Sequence, residues 1–172
     1  MWEHTRGVGY SFGYNQLEDE SQSLNGTEAI THVVSRRGNL LLNVGLMADG
    51  TVPPVQRKTL TELAAWNAVN GSSVFGSVPL SMDSAKPSDA PWVRWTRTDD
   101  EAHASISTTG PTVTLELDPA RVDIATARFA DGSKAEVTGV VLTMPAATSP
   151  VRVTFDSAQG SAAITAPTPG RV

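Results

Sequence analysis

Apolar residues recur at helical spacing through Ala29, Ile30, Val33 and Val34. That stripe predicts an amphipathic helix over residues 24–37. Asn25 or Thr27 can cap its start. Arg36 and Arg37 suit the dipole at its end, and Gly38 is placed to terminate it. His32 lies off the stripe and is expected to be exposed. The pattern then changes. Leu40, Leu41, Leu42 and Val44 are nearly contiguous between Gly38 and Gly45. Such a run suits a strand buried on both faces, as in a parallel sheet covered by helices. Asn39 and Asn43 interrupt it. A buried amide left unpaired costs about 1–3 kcal/mol, so each needs a partner. Neighbouring loops could supply one. Alternatively, Asn43 supports an active site, because barrel sites sit at the C-terminal ends of strands.

Asp49-Gly50 marks a turn. Pro53 or Pro54 can open a second helix, which runs to about Asn70. Its expected buried side is Val55, Leu60, Leu63, Ala64 and Trp66-Asn67-Ala68, with Gly71 as a left-handed cap. From Ser81 to Pro91 apolar side chains are scarce, which predicts a linker. After Trp92 the period falls to two. Val93–Thr96 and His103–Thr108 read as a strand pair across Asp99-Asp100. Val113, Leu115 and Leu117 alternate with polar residues. Asp131-Gly132 is a turn between Ala127–Phe129 and Ala135–Val137. Val140–Met144, Val151–Phe155 and a short piece at Ile164 follow. Many short strands with turns between them predict an antiparallel β-sandwich. The expected class is therefore α/β followed by all-β. The expected parts are 1–80, a linker at 81–91, a sandwich at 92–166 and a tail at 167–172. The first part holds two β/α units, whereas a closed (β/α)8 barrel needs eight strands and typically about 250 residues.

Composition narrows the class. The chain has 172 residues, 40% hydrophobic, enough for a core. A net charge of -5, with no basic block, disfavours nucleic acid as a partner. With no cysteine, disulfides and thiolate metal sites are excluded. His4, His32 and His103 lack metal-ligand spacing, so no metal is expected. No apolar run approaches the roughly 20 residues of a membrane helix, so no membrane partner is expected, and no signal peptide is visible. Gly7, Gly9 and Gly13 alternate with Val8, Tyr10, Phe12 and Tyr14. Glycine at that density lets backbone pass close to something. Glu18-Asp19-Glu20 then sets three carboxylates together, which read as a solvated acidic loop or as a catalytic one. Met1 leads straight into Trp2-Glu3-His4 with no polar tail, and the expectation is a fragment.

The first 80 residues resemble the C-terminal part of the catalytic domain of α-L-fucosidases, glycoside hydrolase family 29. The matching pieces are Trp2–Gly7, Ser11–Asn15 with Glu18, Val34–Gly45, Ala48–Pro53 with Gln56, and Trp66 and Asn70-Gly71 before Val74–Gly76. The chain departs from the family at Leu46, where a proline is usual, and at Arg37, where a glycine is usual. The sandwich half is similar to the family's C-terminal β domain in position and strand pattern. The resemblance implies a retaining exo-α-L-fucosidase on a (β/α)8-like barrel, with a fucosylated glycan or glycoside as substrate and no cofactor. Retention uses two carboxyl groups about 5–5.5 Å apart. Glu18 falls at the family's acid/base position, with Glu20 as the fallback. Asp19 and Glu20, if near in space, would favour its protonated form. Arg6 matches an arginine of the fucose pocket. The nucleophile and the histidine-rich fucose-binding motifs lie upstream in the family, and no aspartate precedes Glu18 here. The chain is therefore expected to be inactive alone, and its partner would be the missing N-terminal part of the same barrel. For the parent enzyme the expectation is secretion or a periplasmic location. The alternative is a non-catalytic carbohydrate-binding or scaffolding sandwich, for which Trp92 and Trp95 would need exposure on one face.

Overall fold

The computed structural model describes residues 2–20, 23–81, 92–107, 112–145, 147 and 150–158. The expected linker beyond Ser81, the strand at Ile164 and the tail lie outside the described residues. β1 (Trp2–Gly7) and β2 (Gly38–Asn43) pair in parallel, Trp2 opposite Gly38 and Gly7 opposite Asn43. Parallel neighbours need a crossover rather than a tight turn, and α1 (Gly26–Val34) supplies it. The side chain of Asn25 caps α1 by accepting the Glu28 N–H at 3.1 Å.

α1 ends differently from the expectation. The left-handed residue is Arg37, with φ 61°. Gly38 already belongs to β2, where a Cβ would lie 2.7 Å from the Trp2 ring and 2.9 Å from Val33. Close packing therefore requires glycine at 38, and the backbone strain falls on Arg37. Left-handed backbone costs a side-chain-bearing residue roughly 1–2 kcal/mol. Arg37→Gly is expected to stabilise the chain by about 0.5–1 kcal/mol, net of the extra freedom glycine gives the unfolded state. The readout is a higher urea midpoint at unchanged slope. A lower midpoint would mean that the arginine side chain contributes more than the strain costs.

α2 (Pro54–Asn70) follows β2 and buries Gln56, Thr59, Leu63, Trp66 and Asn70, in steps of three and four. Leu63 and Trp66 are on the expected side. Val55 and Leu60 are only partly buried, and Ala64 and Ala68 are exposed. Polar residues hold the inner stripe because partners are waiting there. Asn70 Nδ2 donates to the Trp66 carbonyl at 2.9 Å, and Gln56 bonds at both ends of its amide. Gly71 has φ -55° and opens a 3₁₀ turn, so it is not the expected left-handed cap. That backbone falls to Gly76, φ 71°.

The remaining strands are β3 (Val78–Pro79), β4 (Val93–Arg97), β5 (Glu101–Ile106), β6 (Thr112–Glu116), β7 (Val122–Phe129), β8 (Val137–Thr138), β9 (Val141–Pro145) and β10 (Val151–Ser157). They form a five-stranded sheet, β3-β4-β5-β10-β7, and a three-stranded sheet, β6-β9-β8, antiparallel throughout. Trp95, Ile106, Val153 and Phe155 of one sheet share a buried core with Leu115, Leu142 and Met144 of the other. The Trp95 and Phe155 rings stand 5.8 Å apart. Two sheets closed on one apolar interior form a sandwich.

The two parts touch. Trp66 Nε1 donates to the Pro150 carbonyl at 3.3 Å, and Arg152 donates to Ser72 Oγ and to the Val69 carbonyl. His32, expected to be exposed, is half-buried. Its ring lies 4.6 Å from that of Trp92, and its Nδ1 accepts from Arg94 Nε at 3.0 Å. Trp92 Nε1 donates to Glu28 Oε1 at 3.0 Å. Burial, followed by the Arg94 charge, lowers the His32 pKa from its ordinary value.

Candidate active site

Because β1 and β2 run parallel, Gly7 and Asn43 end them on the same edge. The loop after β1 leaves from that edge, and Glu18 lies on it. Gly45 and the start of α2 follow from the end of β2. The loop is tied to β2 at two points. Val8 N–H donates to the Asn43 carbonyl at 2.9 Å, and Asn43 Nδ2 donates to the Phe12 carbonyl at 2.5 Å. Asn43 thus holds the loop that carries Glu18. Two glycines permit the approach. A Cβ on Gly45 would meet the Gly13 backbone at 2.6 Å, and one on Gly9 would lie 1.4 Å from Glu18 Oε1. The backbone at Gly9 passes close to the Glu18 carboxylate.

That carboxylate is half-buried and held on both oxygens. Tyr10 N–H donates to Oε1 at 2.5 Å, and Gln56 Nε2 donates to Oε2 at 2.8 Å. Gln56 is fully buried, and its Oε1 accepts the Gly45 N–H at 3.1 Å. Charge-assisted hydrogen bonds of this kind are roughly twice as strong as neutral ones. The chain around the carboxylate presents exposed Tyr10, Phe12, Tyr14 and Leu17. Their apolar surface is open to whatever approaches Glu18.

Glu20 faces elsewhere. Its Oε2 pairs with Lys58 Nζ at 2.6 Å, where that hydrogen bond, followed by Coulomb attraction, raises the lysine pKa. Both side chains are exposed, so the pair adds little to stability. Its charge is met by Lys58, which weakens the expectation that it acts on Glu18. Arg6 is exposed, one residue from the end of β1. With His4, Glu28 and His32 it lines a recess of about 350 Å³ beside α1. Its guanidinium forms no hydrogen bond or ion pair among the described residues, and nothing joins it to Glu18. In the sequence Gln56 stands out only as a matched position of the resemblance. Its position just after Pro53-Pro54, on a helix stripe, was the available signal.

Comparison with known proteins gives the context. Residues 1–72 match the family model for alpha-L-fucosidase. An alpha-L-fucosidase of Dictyostelium discoideum is 38% identical over 81 residues, covering 45% of this chain and 18% of that protein. The crystal structure of Thermotoga maritima alpha-fucosidase in complex with fucose superposes with a TM-score of 0.69 at 28% identity. That likeness covers 90% of this chain and 39% of the other. Alpha-L-fucosidase isoenzyme 1 from Paenibacillus thiaminolyticus, at 23% identity and a TM-score of 0.70, shares the fold over 91% of this chain. The proteins that the chain is similar to share one class, the glycoside hydrolases. Within it the chain's relatives by sequence and fold are the α-L-fucosidases of family 29. It spans well under half the length of the relatives it matches.

Proposed function

We propose that the chain is the C-terminal part of a retaining exo-α-L-fucosidase that releases terminal α-L-fucose from glycoconjugates, with Glu18 as its acid/base. The observation that carries this reading is the fixed carboxylate. Glu18 is gripped by two N–H donors at the C-terminal edge of a parallel strand pair, the edge where barrel active sites lie. In the first half-reaction Glu18 protonates the departing glycosidic oxygen. In the second it takes a proton from the attacking water. Arg6, near the same edge and unpaired among the described residues, is free to hold a carboxylate and sugar oxygens. The nucleophile belongs to a part of the enzyme outside this chain.

The strand pair supports the barrel reading. Two parallel strands alone are marginal, and parallel sheets are normally covered on both faces. Here Trp2, Leu41 and Leu46 are exposed. A barrel completed by the upstream part would cover such residues. Residues 1–80 are then its last β/α units, and residues 92–166 its companion sandwich. The rival reading, a carbohydrate-binding sandwich, loses its aromatic strip. Trp95 is in the core, and Trp92 is engaged by Glu28 and His32.

The test is hydrolysis of an aryl α-L-fucoside by this chain and by Glu18→Gln. No turnover from either is expected, because one carboxyl group cannot run a double displacement. Turnover that depends on Glu18 would overturn the fragment reading. Turnover indifferent to Glu18 would overturn its role.

A further inference from the structure

We infer that Gln56 is a positioning residue for Glu18, an inference that rests on reading Glu18 as the acid/base. The two ends of a glutamine amide differ chemically, one accepting and one donating. The Gly45 N–H can be met only by Oε1, at 3.1 Å. The Nε2 end is thereby turned toward Glu18 Oε2, which it reaches at 2.8 Å. The backbone of the loop after β2 therefore dictates which way the amide points, and the amide dictates where one carboxylate oxygen lies. Gln56 is fully buried, so leaving either end unpaired would incur a desolvation penalty of roughly 1–3 kcal/mol. The arrangement resists flipping for that reason.

The helix start makes the device stiff. Pro53 and Pro54 precede Gln56 at the N-terminus of α2, and proline fixes φ in the first turn. Tyr10 N–H holds the other oxygen at 2.5 Å. Two donors, one from the loop after β1 and one from the first turn of α2, each on its own oxygen, set the plane of the carboxyl group. A group that must deliver a proton along one direction and later accept one gains from such fixing, because misplacement by about 1 Å can cost a hundredfold in rate.

Two measurements on the chain as given test this. The first needs no variant in Gln56. The side-chain NH2 signals of Gln56 should shift with pH along the titration of Glu18, followed by labelled carboxyl carbon. They should stop doing so in Glu18→Gln. The second is Gln56→Leu, checked for folding by circular dichroism. With one oxygen released, the carboxyl group is no longer held in its plane, so the Tyr10 amide that donates to the other oxygen should exchange with solvent several-fold faster. Gln56 signals deaf to Glu18, or a folded Gln56→Leu with unchanged exchange at Tyr10, would overturn the inference. Signals that track Glu18 uphold the contact on their own terms. The catalytic role of Glu18 stands or falls separately, on aryl fucoside turnover.

Discussion

Gly9→Ala is expected to keep the fold and lose the seat of Glu18. The added Cβ would fall 1.4 Å from Oε1 and 2.2 Å from the carboxyl carbon. No rearrangement of a few tenths of an ångström accommodates that. Gly9 is not in the left-handed region, so alanine meets no backbone penalty, and the obstacle is the end of one flexible side chain. The side chain will swing away and surrender its hydrogen bonds from Tyr10 and Gln56. Hydrogen bonds to a charged group are worth about 1.5–3 kcal/mol, which converts to roughly ten- to hundredfold faster exchange of the Tyr10 amide. Global stability should fall by a similar amount or less, since water reaches the released carboxylate. Gly13→Ala is the control, because a Cβ there meets nothing within 4 Å. Equal exchange at Tyr10 in the two variants would mean that the carboxylate does not sit against Gly9.

The sequence made much of this legible, and what it hid was hidden for physical reasons. Helical spacing at Ala29–Val34 and the leucine run before Asn43 placed α1 and β2, because periodicity reports the type of element, although of these apolar residues only Val33 is buried and Leu41 is exposed. Alternation after Trp92 exposed the strands for the same reason. Glycine at 7, 9 and 13 signalled a close approach without saying to what. Gly9 and Glu18 are nine positions apart on an irregular loop, where no periodicity relates them. Gln56 stayed hidden because an apolar-stripe reading discounts polar residues, and this one is buried only because Gly45 and Glu18 satisfy it. The cap at Gly38 misled because two glycine-demanding conditions lie side by side. The left-handed turn fell on Arg37 and the tight packing on Gly38. His32 reads as exposed in the sequence because the residues that cover it, Trp92 and Arg94, are remote, 62 positions away in the case of Arg94.

Acid should destabilise the chain through His103. The ring is fully buried on β5, with Nδ1 3.1 Å from Thr154 Oγ1 and Nε2 lacking a hydrogen-bond partner among the described residues. Burial lowers its pKa from 6.5 to about 4, and the Arg152 and Arg128 charges push the same way. Glu101 pulls against them but stands 3.8 Å from Nε2, too far for a good bond. The native state therefore keeps His103 neutral where the unfolded state already binds a proton. Stability from this group is complete above pH 6.5 and drains away as pH falls toward 4. The full gap is worth about 3 kcal/mol at 1.36 kcal/mol per pKa unit. His32, also lowered, adds to the loss in the same direction. Asp49 and Asp131 titrate below their ordinary 3.8 and act only beneath this window. Urea unfolding at pH 7 and pH 4.5 should show a loss of about 2–3 kcal/mol, of which His103→Gln removes most. The glutamine variant can start from a lower stability at pH 7 without affecting the comparison, because the readout is the pH difference within each protein. An equal pH difference in both would mean that the buried ring is not what couples this sandwich to protons.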